Sequence, residues 1–183
     1  DLACGHNSPI QYCKLSYAVG VELYKPSLEV SKRKGIHNEY LEEDIRKIKF
    51  DDNSFDIVFC SEAIEHLKKE EGYELIEKMI KWARKKIILK APNGLVWHGG
   101  NESNILQKHQ SEWCPKDLKS LGFKVHGING WKKLRGYKGS FKFKPKTLWQ
   151  VISDLTQKIT YYFPQYAFQM FAVKDMNKTK IEE

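Results

Sequence analysis

The chain has 183 residues, 41% of them hydrophobic and 13% aromatic, which suffices to bury one sizeable core and predicts one globular domain with at most a small appendage. The four cysteines, Cys4, Cys13, Cys60 and Cys114, are far apart with no CxxC pair, so neither a disulfide framework nor a zinc site is suggested, and a reducing, cytoplasmic setting is expected. The formal net charge is +8; seven basic residues (Lys132, Lys133, Arg135, Lys138, Lys142, Lys144 and Lys146) and no acid fall within residues 131–146.

In chain order, residues 17–22, 55–60 and 86–91 read as short buried strands, with residues 39–42 a weaker candidate. Between them, residues 26–34 form a helix that opens on proline and stops at Gly35, and Leu75, Ile76, Met79, Ile80 and Ala83 make one apolar stripe at helical spacing. Residues 115–121 predict a helix stopped by Gly122, and residues 123–127 begin another extended piece. Past Gly130 the expected order is a basic, aromatic stretch, an amphipathic helix over about 147–160, and a strand over 166–173 pairing back with the 123–127 strand. The long connection before that strand predicts a cap over a site. The uncharged run 159–173 is too short for a membrane span and contains Pro164, so no transmembrane segment is expected. Asn101-Glu102-Ser103 and Asn177-Lys178-Thr179 match the glycosylation triplet by chance, since nothing else points to secretion.

Alternation of strands and helices predicts an α/β, doubly wound, mostly parallel sheet, and in such sheets ligands sit beyond the carboxyl ends of the strands. The residues there are Asp1-Leu2-Ala3-Cys4-Gly5, an acid followed by small residues that suit a tight turn close to a bound group; Glu22, which could accept from both hydroxyls of a ribose; Asp44-Ile45, a carboxylate and an aliphatic side chain suited to the amino group and face of adenine; and Cys60-Ser61-Glu62, followed by Glu65-His66. Each acid has an ordinary reading as a solvated turn or helix cap. Together they occur in the order one adenosine-containing ligand would need.

These motifs, with Val19-Gly20-Val21-Glu22 and the run from Phe55 to Leu67, resemble the class I S-adenosylmethionine-dependent methyltransferases, particularly the type 11 group, over roughly residues 1–127. The resemblance implies a seven-stranded Rossmann-like sheet with an antiparallel last strand and a truncated first strand, Asp1 being the last residue of the central strand. It implies S-adenosyl-L-methionine as cofactor. Asp1, Ala3 and Gly5 would hold its methionine part, Glu22 the ribose, Asp44 and Ile45 the adenine, and Cys60, Ser61 and Glu62 the floor near the methyl group; Leu23, next to Glu22, is also counted among the cofactor-binding residues. Ala3 stands where the family often has glycine, and residues 6–9 replace its further glycines. The domain division expected is a core over 1–130, a basic aromatic cap with a helix over 131–165, the last strand over 166–174 and a frayed tail over 175–183.

Methyl transfer from a sulfonium needs an aligned nucleophile and exclusion of water, and no metal is expected. His66 and His109 are the candidate bases for an acceptor's proton, each also readable as structural. A small-molecule acceptor is expected; the interleaved cations and aromatics of 131–146 admit a nucleic acid, and the uncharged run 159–173 admits a lipid-linked acceptor. Two rivals are a non-catalytic relative that binds a nucleoside or partner and, fitting less well for want of G-x-G-x-x-G, an NAD-dependent dehydrogenase.

Overall fold

The structure, a computed structural model, describes residues 1–94, 99–101, 104–136 and 139–176. Tyr137 and Lys138 of the basic segment, Glu102 and Ser103 of the first glycosylation-type triplet, and residues 177–183, with the second triplet and most of the expected tail, lie outside the described residues.

The strands are β1 (Val19–Val21), β2 (Glu39–Leu41), β3 (Phe55–Ser61), β4 (Ala83–Pro92), β5 (Gly99–Asn101), β6 (Asn104–Lys108), β7 (Lys124–Trp131) and β8 (Ala167–Asp175). The helices are α1 (Lys25–Lys34), α2 (Lys69–Trp82), α3 (Pro115–Ser120) and α4 (Lys146–Tyr162). β1 pairs with β2 and β3 with β4, both in parallel, while β8 runs antiparallel between β4 and β7. Leu2 joins the two halves by bridging Val21 on one side and Cys60 on the other, both in parallel. Its N–H donates to the Phe59 carbonyl at 2.8 Å, and the Cys4 N–H donates to the Val21 carbonyl at 3.0 Å. The spatial order is thus β2, β1, the Leu2 stub, β3, β4, β8, β7, a mixed sheet with one reversed strand, as expected. A separate antiparallel hairpin, β5–β6, was not foreseen.

The core lies on one face of this sheet. Leu2, Val21, Val58, Cys60, Ile87, Leu89, Met170 and Ala172 cluster there with Leu75, Ile76 and Met79 of α2. The stripe read from the sequence is therefore the buried face of α2, and each of these aliphatic side chains contributes roughly 1.5–3 kcal/mol by leaving water. Leu118 of α3, with Phe123 and Val125, extends the same cluster under β7. After Gly5 the chain forms only a short 3-10 turn, Pro9–Tyr12, capped by the Ser8 side chain. None of the helices among the described residues is long and apolar enough to cross a membrane.

Candidate functional site

The first turn is built around an acid that points inward. The Asp1 carboxylate lies 2.8 Å from His37 Nε2, with the two side chains 4% and 0% exposed. Burial pushes the His37 imidazole down to about 4, so the neutral ring donates Nε2–H to Asp1 while Nδ1 lies 3.4 Å from Ser31 Oγ. Asp1 therefore fixes the turn from beneath. Above it, Ala3 and Gly5 both adopt left-handed backbone, with φ of 51° and 58°, and the space a Cβ at Gly5 would enter is open.

Glu22 closes this turn. One carboxylate oxygen accepts from the Gly5 N–H at 2.9 Å and the other from the Tyr24 N–H at 2.7 Å, so each keeps a further lone pair for an outside donor. Leu23, beside it, is exposed. Asp44 lies at the next strand end, its carboxylate gripped by Arg46 through Nε and Nη2 and by the Arg46 backbone N–H. These hydrogen bonds hold Asp44 below the usual carboxylate range. Ile45 faces the core, 8% exposed.

Near the end of β3, Cys60 turns its thiol into the core, where burial pushes it up to about 12; only its backbone can meet a ligand. Ser61 is half-buried. Glu62, at φ 55°, accepts from Gln169 Nε2 at 2.7 Å and pairs with Lys90 at 3.0 Å, tying the ends of β3, β4 and β8 together.

The two histidines, 43 positions apart in the chain, are neighbours: their rings meet edge to face at 4.8 Å between centroids. The loop between β6 and α3 is laced to the 3-10 turn Ile64–His66. The Gln110 and Ser111 N–H groups donate to the Glu65 carbonyl at 2.8 and 3.2 Å, and Trp113 Nε1 and Ser111 Oγ both reach the Ile64 carbonyl. Ser111 thus serves this junction, and the start of α3 is capped by Asp117, which accepts from the Cys114 N–H at 2.8 Å. Under the histidines lies Glu65, 2% exposed, its carboxyl raised well above the ordinary value by burial and then by the charge of Glu62.

His37, Arg46, Gln169 and Trp113 were missed in the sequence. Arg46, two residues past Asp44, carried a local signal, whereas the other three reach the site only through long-range packing. Within the basic segment, Arg135 lies over the Phe141 ring at 3.9 Å and donates to the Gly139 carbonyl and Ser153 Oγ, so it is part of the framework. A concavity of about 620 Å³ is lined by Asn93, just past the end of β4, with Pro115, Lys119, Lys132 and Gln165, and by none of the residues of this row.

Residues 1–86 match the family model described as "Methyltransferase domain". A curated relative, tRNA (guanine-N(7)-)-methyltransferase of Prochlorococcus marinus (strain AS9601), is 36% identical over 92 residues, which make up 50% of this chain and 42% of that protein. The chain thus spans less than half the length of that relative. Among solved structures, a SAM dependent methyltransferase from Archaeoglobus fulgidus aligns at a TM-score of 0.62 and 16% identity, covering 96% of this chain and 84% of the other. Magnesium protoporphyrin IX methyltransferase from Synechocystis PCC 6803, solved with bound SAM, aligns at 0.51 and 16%, covering 95% and 68%.

Proposed function

We propose that this chain, which carries a class I methyltransferase domain, transfers the methyl group of S-adenosylmethionine to an acceptor. The observation that carries the reading is the row at the strand ends: an open left-handed turn at Ala3–Gly5, the Glu22 carboxylate anchored beside it with lone pairs to spare, and Asp44 at the next strand end. Glu22 suits a ribose diol and Asp44 the adenine amino group, while the Gly5 turn leaves room for a close approach of the amino-acid end. The cofactor supplies an activated methyl on a sulfonium. The chain's part is to bind it, align the nucleophile and exclude water. His66 and His109 stand beyond Glu62 and are the candidates to take a proton where the acceptor is a hydroxyl or a protonated amine.

Isothermal titration of the full-length protein with S-adenosylmethionine and with NAD tests this. Micromolar binding of the methyl donor, weakened about tenfold or more in Glu22→Gln, is expected. Gln keeps only one of the two acceptors that hold the Gly5 and Tyr24 N–H groups, so a thermal melt of the variant, showing that it still folds, is read beside its titration. NAD binding in place of the methyl donor, or no binding of either, sinks the reading; binding without turnover on any acceptor leaves the non-catalytic relative.

For the acceptor, α4 favours a lipid-linked or amphipathic molecule met at an anionic membrane surface. Its polarity is inverted: the side turned to β7 carries Ser153, Gln157 and Thr160, with Gln157 bonded to the Gly127 carbonyl and the Gly130 N–H. The outer side carries Leu148, Val151, Leu155, Ile159 and Tyr162, the last three 64%, 62% and 76% exposed. An exposed apolar stripe beside a run of lysines is the pattern of an interfacial helix. Sedimentation with phosphatidylserine vesicles, lost in Leu155→Asp/Ile159→Asp, checks it. Binding to RNA but not to vesicles would assign the cations to a nucleic acid, and a dimer that hides the stripe would assign it to a second copy.

A further inference from the structure

We infer that Glu65, His66 and His109 form a binding site for a divalent transition cation of the zinc type at the edge of the cofactor row. One ligand atom from each lies within 4.8 Å of the others. Glu65 supplies the decisive observation. Both of its carboxylate oxygens are buried and neither has a hydrogen-bond partner among the described residues, a costly arrangement for an acid unless a counter-charge completes it. Two imidazoles and one carboxylate are the ligand set of an open zinc site, with the fourth position left to water or an acceptor atom.

The support around these side chains is built. His66 Nδ1 lies 3.3 Å from the Lys108 carbonyl, which takes the Nδ1 proton and leaves Nε2 as the ligating nitrogen, the outer-shell arrangement that orients metal-bound histidines. His109 is placed by the residue after it: the Gln110 backbone N–H donates to the Glu65 carbonyl and its side chain donates to the His66 carbonyl. Ligands about 2.0–2.1 Å from a tetrahedral cation stand roughly 3.4 Å apart, so the triad contracts by about an ångström on loading. A bound cation takes both histidines as ligands, so they could serve as bases only in the metal-free protein.

The test uses full-length protein stripped with a chelator and then titrated with zinc by calorimetry and with cobalt(II) by its visible absorption. One cation per chain is expected, with a rise in Tm, and affinity at least about 100-fold weaker in Glu65→Gln and in His109→Gln. Absence of a cobalt spectrum, or an affinity unchanged by both substitutions, overturns the site; His109→Gln, at a half-buried position, keeps the result readable if Glu65→Gln folds poorly. Titration with S-adenosylmethionine of the stripped protein separates this failure from failure of the cofactor reading.

Discussion

Ala3 holds a backbone conformation, φ 51°, that costs an L-residue roughly 1–2 kcal/mol and costs glycine little. Ala3→Gly is therefore expected to stabilise the protein by about 0.5–1 kcal/mol after glycine's larger unfolded-state entropy is charged against it, read as a rise in the urea midpoint at unchanged m. Asp44 offers a pH test. Its carboxyl is held below the usual value in the folded protein by Arg46, so its contribution is complete above the unfolded pKa near 4 and is lost as pH falls through and below that value. Arg46 is 42% exposed, which limits the pair to about 1 kcal/mol. Asp44→Asn should lower stability by that amount at pH 7, and the gap from the unsubstituted protein should close between about pH 4 and pH 2 in thermal melts. Acids after strands were legible in the sequence because the fold dictates where they stand; that Asp1 would be answered by His37 was not, since nothing local links residues 1 and 37.

At the scale of elements, Trp113 is the pin between α2, the Ile64–His66 turn and the loop carrying His109. It is 1% exposed, bonded to the Ile64 carbonyl and covered by Lys69, whose Nζ lies 3.8 Å from the ring centroid. Gly72 makes room for it inside α2: a Cβ there would come within 2.4 Å of the indole. On an exposed helix, glycine to alanine gains about 1 kcal/mol, but here overpacking of about 1–3 kcal/mol opposes it. Gly72→Ala should therefore be net destabilising, and it should also alter the His109 ring resonances by NMR, as a plain propensity effect would not. The helical stripe of α2 was readable from spacing alone. The role of its one glycine was not, because the residue it accommodates is 41 positions away.

At the scale of the molecule, the charge divides sharply. Residues 131–174 hold nine basic side chains and one acid, Asp154, while the rest of the chain holds 22 of each sign; the whole net charge belongs to the segment that contains α4. The sequence showed where the cations cluster and that a helix follows, but an amphipathic pattern alone does not say which face turns inward. The structure places the polar face against β7, which leaves the apolar stripe and the cations on the outside together. A surface lysine near an anionic bilayer contributes about 1 kcal/mol, so Lys132→Ala/Lys133→Ala/Lys142→Ala should weaken binding to phosphatidylserine vesicles by roughly 100-fold, from about 3 kcal/mol. The same variant should bind S-adenosylmethionine with unchanged affinity, since none of the three belongs to the strand-end row. Arg135 is kept out of the variant because its stacking on Phe141 and its bond to Ser153 hold the segment in place. Vesicle affinity that is insensitive to both the substitutions and added salt would assign the attachment to the apolar stripe alone, whereas a parallel loss of cofactor binding would show that the cations support the fold.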